Sequence, residues 1–175
     1  MTEILAVTVI GNDRPGIVSE VTRALFDVGC NLEDITSTIL RGHFSMTIIT
    51  KCPSGVDRSG VEQRLSPAAE ELGLVLEVRP VEETDSHVAP PTHMVSVYGA
   101  DKPGIVFRVA DALARLGVNI TDLNSRLIGE DAEPVYALQI EVHAPEGTNL
   151  DRVLPPLREE LGVDLSVHPI DADVL

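Results

Sequence analysis

Two short loops carry the residues whose types and spacing best suit chemistry. Residues 11–16 read Gly-Asn-Asp-Arg-Pro-Gly, and residues 99–104 read Gly-Ala-Asp-Lys-Pro-Gly. Each loop precedes an apolar stripe of helical period, so we expect backbone N–H groups of a helix N-terminus beside a glycine that lets a ligand approach. Such a terminus attracts a carboxylate, while the carboxylate of Asp13 or Asp101 attracts an ammonium group. The two preferences side by side suit a free amino acid.

A plainer interpretation of these residues stays open. Asp13 and Asp101 are also ordinary N-cap residues, and Pro-Gly is an ordinary helix start in which proline occupies the first turn. Asn12 occurs only in the first loop, where the second has alanine, so we expect the first loop to be the stronger site. Asn31 and Asn119 follow a glycine by two residues, and they either offer an amide to a ligand or serve the geometry of a turn.

Catalytic and metal-binding patterns are absent from the sequence. The five histidines share no metal-ligand spacing, and the chain has no phosphate-binding loop, nucleophile elbow or dinucleotide fingerprint. Cys52 and His43, which we expect on adjacent strands, form the one Cys–His combination, but neither residue recurs in the second half. Two cysteines cannot form a disulfide framework and fit a reduced cytosol. We therefore expect no enzyme, no metal and no cofactor.

An internal repeat organises these residues. Residues 7–40 placed over residues 95–128 are identical at 15 of 34 positions, with the shared core Val-x-Val-x-Gly-x-Asp-x-Pro-Gly-Ile-Val. The second copy has four extra residues near positions 129–134, which we interpret as a surface insertion. We predict domains at 1–82 and 93–175, joined by a polar linker at 83–92 that contains Pro90 and Pro91.

Each copy reads as strand, helix, strand, strand, helix, strand. Strands are predicted at residues 4–10, 32–41, 44–51 and 75–81, and then at 94–98, 120–128, 135–143 and 165–170. The first helices begin at the Pro-Gly pairs and end at Gly29 and Gly117 in a left-handed conformation, and the second helices span 59–72 and 150–161. Pro67 and its counterpart Pro156 should bend these second helices or mark their true starts. This order predicts an α+β fold, a ferredoxin-like βαββαβ unit with a four-stranded antiparallel sheet and both helices on one face.

Charge excludes several classes of partner. The chain has 28 acidic and 13 basic residues, a net charge of −15, and no tryptophan. Nucleic acids and anionic membranes attract clustered Lys and Arg, so we expect no direct contact with either. The N-terminus lacks the pattern of a signal peptide, and no apolar run approaches the length of a membrane span. These features predict a cytoplasmic protein, and the thin core of each copy predicts pairing of copies and a homodimer.

The repeated Gly-x-Asp-x-Pro-Gly-Ile-Val turn, followed by Gly-x-Asn at Gly29 and Gly117, resembles the ACT domain family in tandem. Within it, residues 21–25 and 42–46 resemble the glycine cleavage system transcriptional repressor family. The resemblance implies a regulatory module that binds a small ligand, most often an amino acid, between the first loop of one domain and the start of the second strand of its neighbour. Carried over residue by residue, the implied positions are Asn12, Asp13, Pro15, Gly16, Asn31 and Leu32, with Asp101, Pro103, Gly104, Asn119 and Ile120.

The resemblance to the repressor-like family also implies that the chain binds glycine or a similar amino acid and signals to a protein partner, a DNA-binding activator, without touching DNA itself. We therefore expect a non-enzymatic sensor. Two alternatives remain: a structural adaptor whose loops bind no ligand, and a regulatory subunit of an enzyme of amino-acid metabolism.

Overall fold

The computed structural model describes residues 2–82, 89–129 and 134–170. The chain divides into two compact units, Met1–Asp85 and Ser86–Leu175. The first unit contains β1 (Glu3–Asn12), α1 (Ile17–Asp27), β2 (Asn31–Leu40), β3 (His43–Cys52), α2 (Arg58–Leu72) and β4 (Val75–Pro80). The second unit contains β5 (His93–Ala100), α3 (Ile105–Arg115), β6 (Asn119–Ile128), β7 (Val135–His143), α4 (Leu150–Leu161) and β8 (Asp164–Pro169). The predicted βαββαβ order is confirmed in both units.

Each unit contains one four-stranded antiparallel sheet. The strand order is β2-β3-β1-β4 in the first unit and β6-β7-β5-β8 in the second. A two-residue turn at Arg41 (φ 50°) and Gly42 (φ 81°) joins β2 to β3. Positive φ at both central residues is the turn that matches the twist of a hairpin, which is why the strand predicted to reach Arg41 ends one residue earlier.

The core lies between the sheet and the helices. Along β1 the alternate residues Leu5, Val7 and Val9 are buried, whereas their neighbours are partly exposed. The side of α1 that carries Ile17, Val21 and Leu25 packs onto this face, as the helical stripe predicts. The second unit repeats the arrangement with α3, whose three fully buried positions are Ile105, Val109 and Leu113.

The first helices end as predicted. Gly29 has φ 78°, its N–H donates to the Phe26 carbonyl at 2.9 Å, and the Cys30 N–H donates to the Leu25 carbonyl at 3.0 Å. These two bonds define a Schellman motif, which requires a residue in the left-handed conformation. Gly117 ends α3 in the same way. The motif turns the chain sharply, so that the residues after the glycine enter the sheet.

The second helices begin well before their prolines. The Asp57 side chain accepts the Gly60 N–H at 2.9 Å, and α2 begins at Arg58, whereas Pro67 lies inside the helix. The Asn149 side chain caps α4 in the same way, accepting the Arg152 N–H. The alternative that each helix begins at its proline is therefore wrong, because a side-chain cap fixes each start at an earlier residue.

The predicted linker lies partly outside the described residues, which omit 83–88. Thr92, its last position, joins the second sheet: its N–H donates to the Val142 carbonyl and its carbonyl accepts the Ile170 N–H, both at 2.8 Å. The predicted insertion at 129–134 also lies mostly outside the described residues. Of the helices that the structure describes, none combines the length and the apolar character needed to cross a membrane.

Candidate ligand site

The loop between β1 and α1 leaves the start of its helix without a side-chain cap. The N-cap residue is Gly16, which has φ 100° and makes no side-chain capping bond. Asp13 is therefore not the N-cap, and that part of the plainer interpretation is wrong. Pro15 precedes the helix instead of occupying its first turn, and the Pro-Gly pair leads directly into α1 with Gly16 as the N-cap residue. Gly104, with φ 96°, occupies the same position before α3. The first N–H groups of each helix have no partner further back in the helix, so they remain donors at a positive dipole end.

The backbone of this loop is fixed by the neighbouring hairpin. The Asp13 N–H donates to the Gly42 carbonyl at 2.8 Å. Asn12, the last residue of β1, pairs with His43 at the start of β3. The side chains of Asn12 and Asp13 are both exposed. The loop thus presents a carboxylate and an amide from a backbone that the sheet holds in place.

The two glycines of the first loop have different roles. Gly16 adopts a positive φ and has open space where a side chain would begin. A Cβ at Gly11 would lie 2.6 Å from Leu74 Cδ2 and 3.1 Å from the Gly73 carbonyl oxygen. Gly11 thus lies close against the segment before β4, and of these two glycines Gly16 is the one that leaves room for a ligand to approach the helix end.

The second loop has the same backbone conformation before its helix, with Lys102 where the first loop has Arg14. Asp101 is exposed, and Lys102 Nζ donates to the Leu161 carbonyl at 3.3 Å, at the C-terminal end of α4. The turn that would correspond to Gly42 falls largely outside the described residues. The structure therefore places Asp101, Pro103 and Gly104 as the repeat predicts, with alanine where the first loop has Asn12.

The predicted amide positions lie at the start of the second strand of each unit. Asn31 is exposed, and its carbonyl accepts a hydrogen bond from the buried Thr50 hydroxyl at 2.8 Å. The register with β3 shifts between Leu32 and Asp34, and the same shift follows Ile120 in the second unit. Such bulges re-aim side chains next to binding sites. The bulge residue Thr121 has a buried hydroxyl without a hydrogen-bond partner among the described residues.

Within one unit the two groups of predicted residues do not meet. The loop at Asp13 and Gly16 precedes α1, whereas Asn31 and Leu32 follow it, and α1 spans Ile17–Asp27. At 1.5 Å per residue a helix of this length separates its ends by roughly 16 Å. A glycine or serine molecule is far shorter, so no single unit offers both groups to one such ligand.

A surface cleft of about 530 Å³ lies beside Asn31 and Leu32. Its other wall is the exposed side of α1, which contributes Ser19, Arg23 and Phe26. These three residues are not among the site residues predicted from the sequence. Their spacing of four and three residues places them on one helix face away from the buried stripe, and that spacing was the available signal.

An apolar strip follows the edge strand of each unit. Ile35 and Ile39 pair with the buried Ile48 and Phe44, so they lie on the helix side of the sheet, yet they are 46% and 55% exposed. In the second unit the matching residues of β6 are also exposed: Leu123 and Leu127. Phe26 of α1 is 78% exposed. Exposed apolar residues that recur in both copies are typical of a protein-binding surface.

The described residues contain no cluster of three or more His, Cys, Asp or Glu side chains placed to hold a metal ion. Cys52 and His43 lie at opposite ends of the same strand, β3. The expectation of adjacent strands was wrong, because the strand runs unbroken through both residues. At about 3.4 Å per residue their backbones are roughly 30 Å apart.

The chain thus contains two ferredoxin-like units of one design in tandem, each with an exposed loop at an uncapped helix end. The ACT domain family matches residues 3–79 and again residues 93–160. The chain belongs to the ACT domain family, as a tandem ACT-domain protein, and the resemblance noted from the repeated turn is confirmed.

Curated relatives align with both domains. The glycine cleavage system transcriptional repressor of Escherichia coli (strain K12) is 27% identical over 172 residues, which cover 95% of this chain and 90% of the repressor. Phosphoserine phosphatase SerB2 of Mycobacterium tuberculosis (strain ATCC 25618 / H37Rv) is 28% identical over 166 residues, or 93% of this chain. The alignment spans only 40% of the phosphatase. The chain is thus related to the repressor over most of both lengths and to a part of the enzyme.

Solved structures share the whole fold. An unknown protein from Galdieria sulphuraria has a TM-score of 0.81 and 25% identity, with 97% of this chain and 99% of that protein covered. A candidate glycine cleavage system transcriptional repressor has a TM-score of 0.66 and 22% identity, with 97% and 98% covered. Two units of this fold in one chain therefore recur in solved structures.

Proposed function

We propose that this chain is a non-enzymatic regulator that binds a small amino acid such as glycine or serine and reports the bound state to a partner protein. The observation that carries the proposal is the uncapped N-terminus of α1 beside the exposed Asp13 carboxylate. The amino acid's carboxylate accepts hydrogen bonds from N–H groups of the first turn, where the helix dipole supplies about half a positive charge. Its ammonium group faces Asp13.

The remaining contacts come from a second ACT domain. Asn31 and Leu32 lie at the far end of α1 from the loop, so the start of the second strand of another copy completes the site. A ligand that contacts two domains binds more tightly when both domains are in place than when only one is. This difference in affinity shifts the protein toward the paired arrangement, and that shift is the signal. The strip of Ile35 and Ile39 supports contact with a protein.

The relationship to the E. coli repressor supports a role in the transcriptional control of amino-acid metabolism. The net charge of −15 argues that this control passes through a DNA-binding partner, because a chain of this charge is repelled by phosphate backbones. In this proposal the chain contacts the partner through a protein–protein interface and does not bind DNA itself.

Isothermal titration calorimetry on the full chain, with glycine, serine and alanine, tests the proposal. We expect binding of at least one of them at millimolar concentration or below. Asp13→Asn keeps the shape and the backbone bond to Gly42 but removes the charge, so affinity should fall by roughly tenfold or more, since hydrogen bonds between charged groups are worth about 1.5–3 kcal/mol. Asp101→Asn is the matched control and should weaken binding less. Absence of heat with every amino acid would overturn the proposal.

A second candidate is a regulatory subunit of an enzyme of amino-acid metabolism. The alignment with part of a phosphoserine phosphatase supports it. Here the chain would co-purify with a separate catalytic chain and change its activity when the amino acid is added. If the chain binds a partner protein but amino acids change neither that binding nor the partner's activity, both candidates are wrong and the chain is a structural adaptor.

A further inference from the structure

Two cysteines meet in the core of the first unit. Cys30 follows the glycine that ends α1, and Cys52 is the last residue of β3. Asn31 pairs with Lys51 at the adjacent register position, which brings the two cysteines to the same corner of the sheet. Their Sγ atoms lie 2.7 Å apart, and the residues are 9% and 1% exposed.

The fold does not need these thiols. The repeat places Val118 where the first unit has Cys30, and Ala144 where it has Cys52, and both residues are buried. Valine and alanine therefore fill the same corner in the second unit without sulfur. Because a buried cysteine packs as a small apolar residue, the packing of this corner does not require sulfur, and the two thiols of the first unit are available for chemistry.

Only one of the two thiols lies next to solvent. Cys30 lines the cleft of about 530 Å³ beside α1, next to Asn31 and Leu32, whereas Cys52 does not line it. A small reagent in the cleft therefore meets Cys30 first, and Cys52 lies behind it as the nearest second thiol. This order is that of an attacking thiol and a resolving thiol.

We propose that Cys30 and Cys52 are a redox modification site, which closes to an intramolecular disulfide on reaction with a low-molecular-weight disulfide such as oxidised glutathione. The Cys30 thiolate attacks one sulfur of the reagent, forms a mixed disulfide and expels one thiolate, which takes up a proton. The Cys52 thiolate then attacks the Cys30 sulfur and expels the second thiolate, which is protonated in turn. The protein loses two electrons and two protons, and one reagent disulfide becomes two thiols.

The second step is the slow one. Burial, the hydrogen bond with Cys30 and the negative charges of Cys30 and Glu3 raise the pKa of Cys52 to about 12. Little Cys52 thiolate is present at neutral pH, so closure should accelerate as the pH rises. When Cys30 is in the mixed disulfide it no longer carries a thiol, while the burial of Cys52 remains.

The test uses the full chain, reduced and then incubated with oxidised glutathione under native conditions. Intact mass should show the loss of two hydrogens without a retained glutathione, and peptide mapping should find residues 30 and 52 linked. Crosslinking removes conformational freedom from the unfolded chain, so the melting temperature of the first unit should rise by on the order of 10 °C. No amino acid takes part in these readouts, so their failure leaves the proposed sensor function untouched.

Variants copied from the second unit keep the test falsifiable. Cys52→Ala should trap one glutathione on Cys30, and Cys30→Val should leave Cys52 unmodified, while circular dichroism verifies that each variant is folded. Glutathione that persists on the wild-type chain even as the pH is raised, disulfide-linked dimers, or closure only after denaturation would each overturn the proposal.

Discussion

Substitution of the matched glycines Gly99 and Gly11 tests whether the sheet packs as described. An added Cβ at Gly99 would lie 2.8 Å from Val163 Cγ1 and 3.2 Å from Val163 Cα. The branched side chain of Val163 has restricted rotation about χ1, and the Val163 N–H is bonded to the Arg158 carbonyl at 3.2 Å, so the neighbour cannot easily move. Overpacking of this kind costs about 1–3 kcal/mol, from which the reduced entropy of the unfolded alanine chain removes roughly 0.4–1 kcal/mol. Gly99→Ala should therefore destabilise the second unit by about 1–2 kcal/mol.

Gly11→Ala is the matched control in the first unit. There the closest atom is Leu74 Cδ2, the end of a flexible side chain that can rotate away, and the Gly73 carbonyl oxygen lies 3.1 Å from the added Cβ. The net cost should therefore be smaller than that of Gly99→Ala and stay below about 1 kcal/mol. Urea unfolding followed by tyrosine fluorescence reports on the second unit alone, because both tyrosines, Tyr98 and Tyr136, lie there and the chain has no tryptophan. Far-ultraviolet circular dichroism follows both units. An equal or larger loss in Gly11→Ala would refute the reasoning.

Three further predictions concern the first unit. Asp57→Ala removes the side chain that caps α2 through the Gly60 N–H and should cost about 1 kcal/mol in urea unfolding followed by circular dichroism; an unchanged midpoint would contradict the cap. Thr50→Val deletes the buried hydroxyl that donates to the Asn31 carbonyl and should lower the free energy of unfolding by about 1 kcal/mol. A higher unfolding midpoint in the same assay would contradict this prediction. Because burial raises the pKa of Cys52 from 9.0 to about 12, the folded chain keeps a proton that the unfolded chain loses, so stability should fall as pH rises through this window. The stability of Cys52→Ala should fall less steeply with pH than that of the wild-type chain. Identical slopes would contradict the assignment of this pH dependence to Cys52.

The arrangement of elements could be predicted from the sequence because the repeat doubles every local signal. The alternation along residues 4–10 and the stripe of Ile17, Val21 and Leu25 predict the strand and the helix that the structure contains. Gly29 ends its helix as expected, since only a residue that tolerates positive φ fits there. These features depend on neighbours within a few positions, and local sequence carries them.

Details that depend on distant contacts could not be predicted. Asp13 and Gly16 are both acceptable N-caps by composition, and the structure has Gly16 in that position while the Asp13 N–H is bonded to the Gly42 carbonyl of the neighbouring hairpin. Gly11 has the residue type of a ligand loop, yet its neighbour is Leu74. The meeting of Cys30 with Cys52 follows from the register between two strands, which a list of spacings does not contain. The sequence thus located the candidate loop but not the conformation that leaves its helix end uncapped.

The acidic charge of the chain also affects how the edge strands of the two sheets associate with other proteins. The strands β2, β4, β6 and β8 are the outer strands of their sheets, and the outer row of backbone groups on such a strand can template association with other chains. At neutral pH a net charge of −15 makes copies repel one another colloidally. That repulsion vanishes near the isoelectric point of about 4.5 and is screened by concentrated salt. The negative charge thus disfavours association of the sheet edges of one copy with those of another. It favours a partner whose contacting surface carries basic side chains.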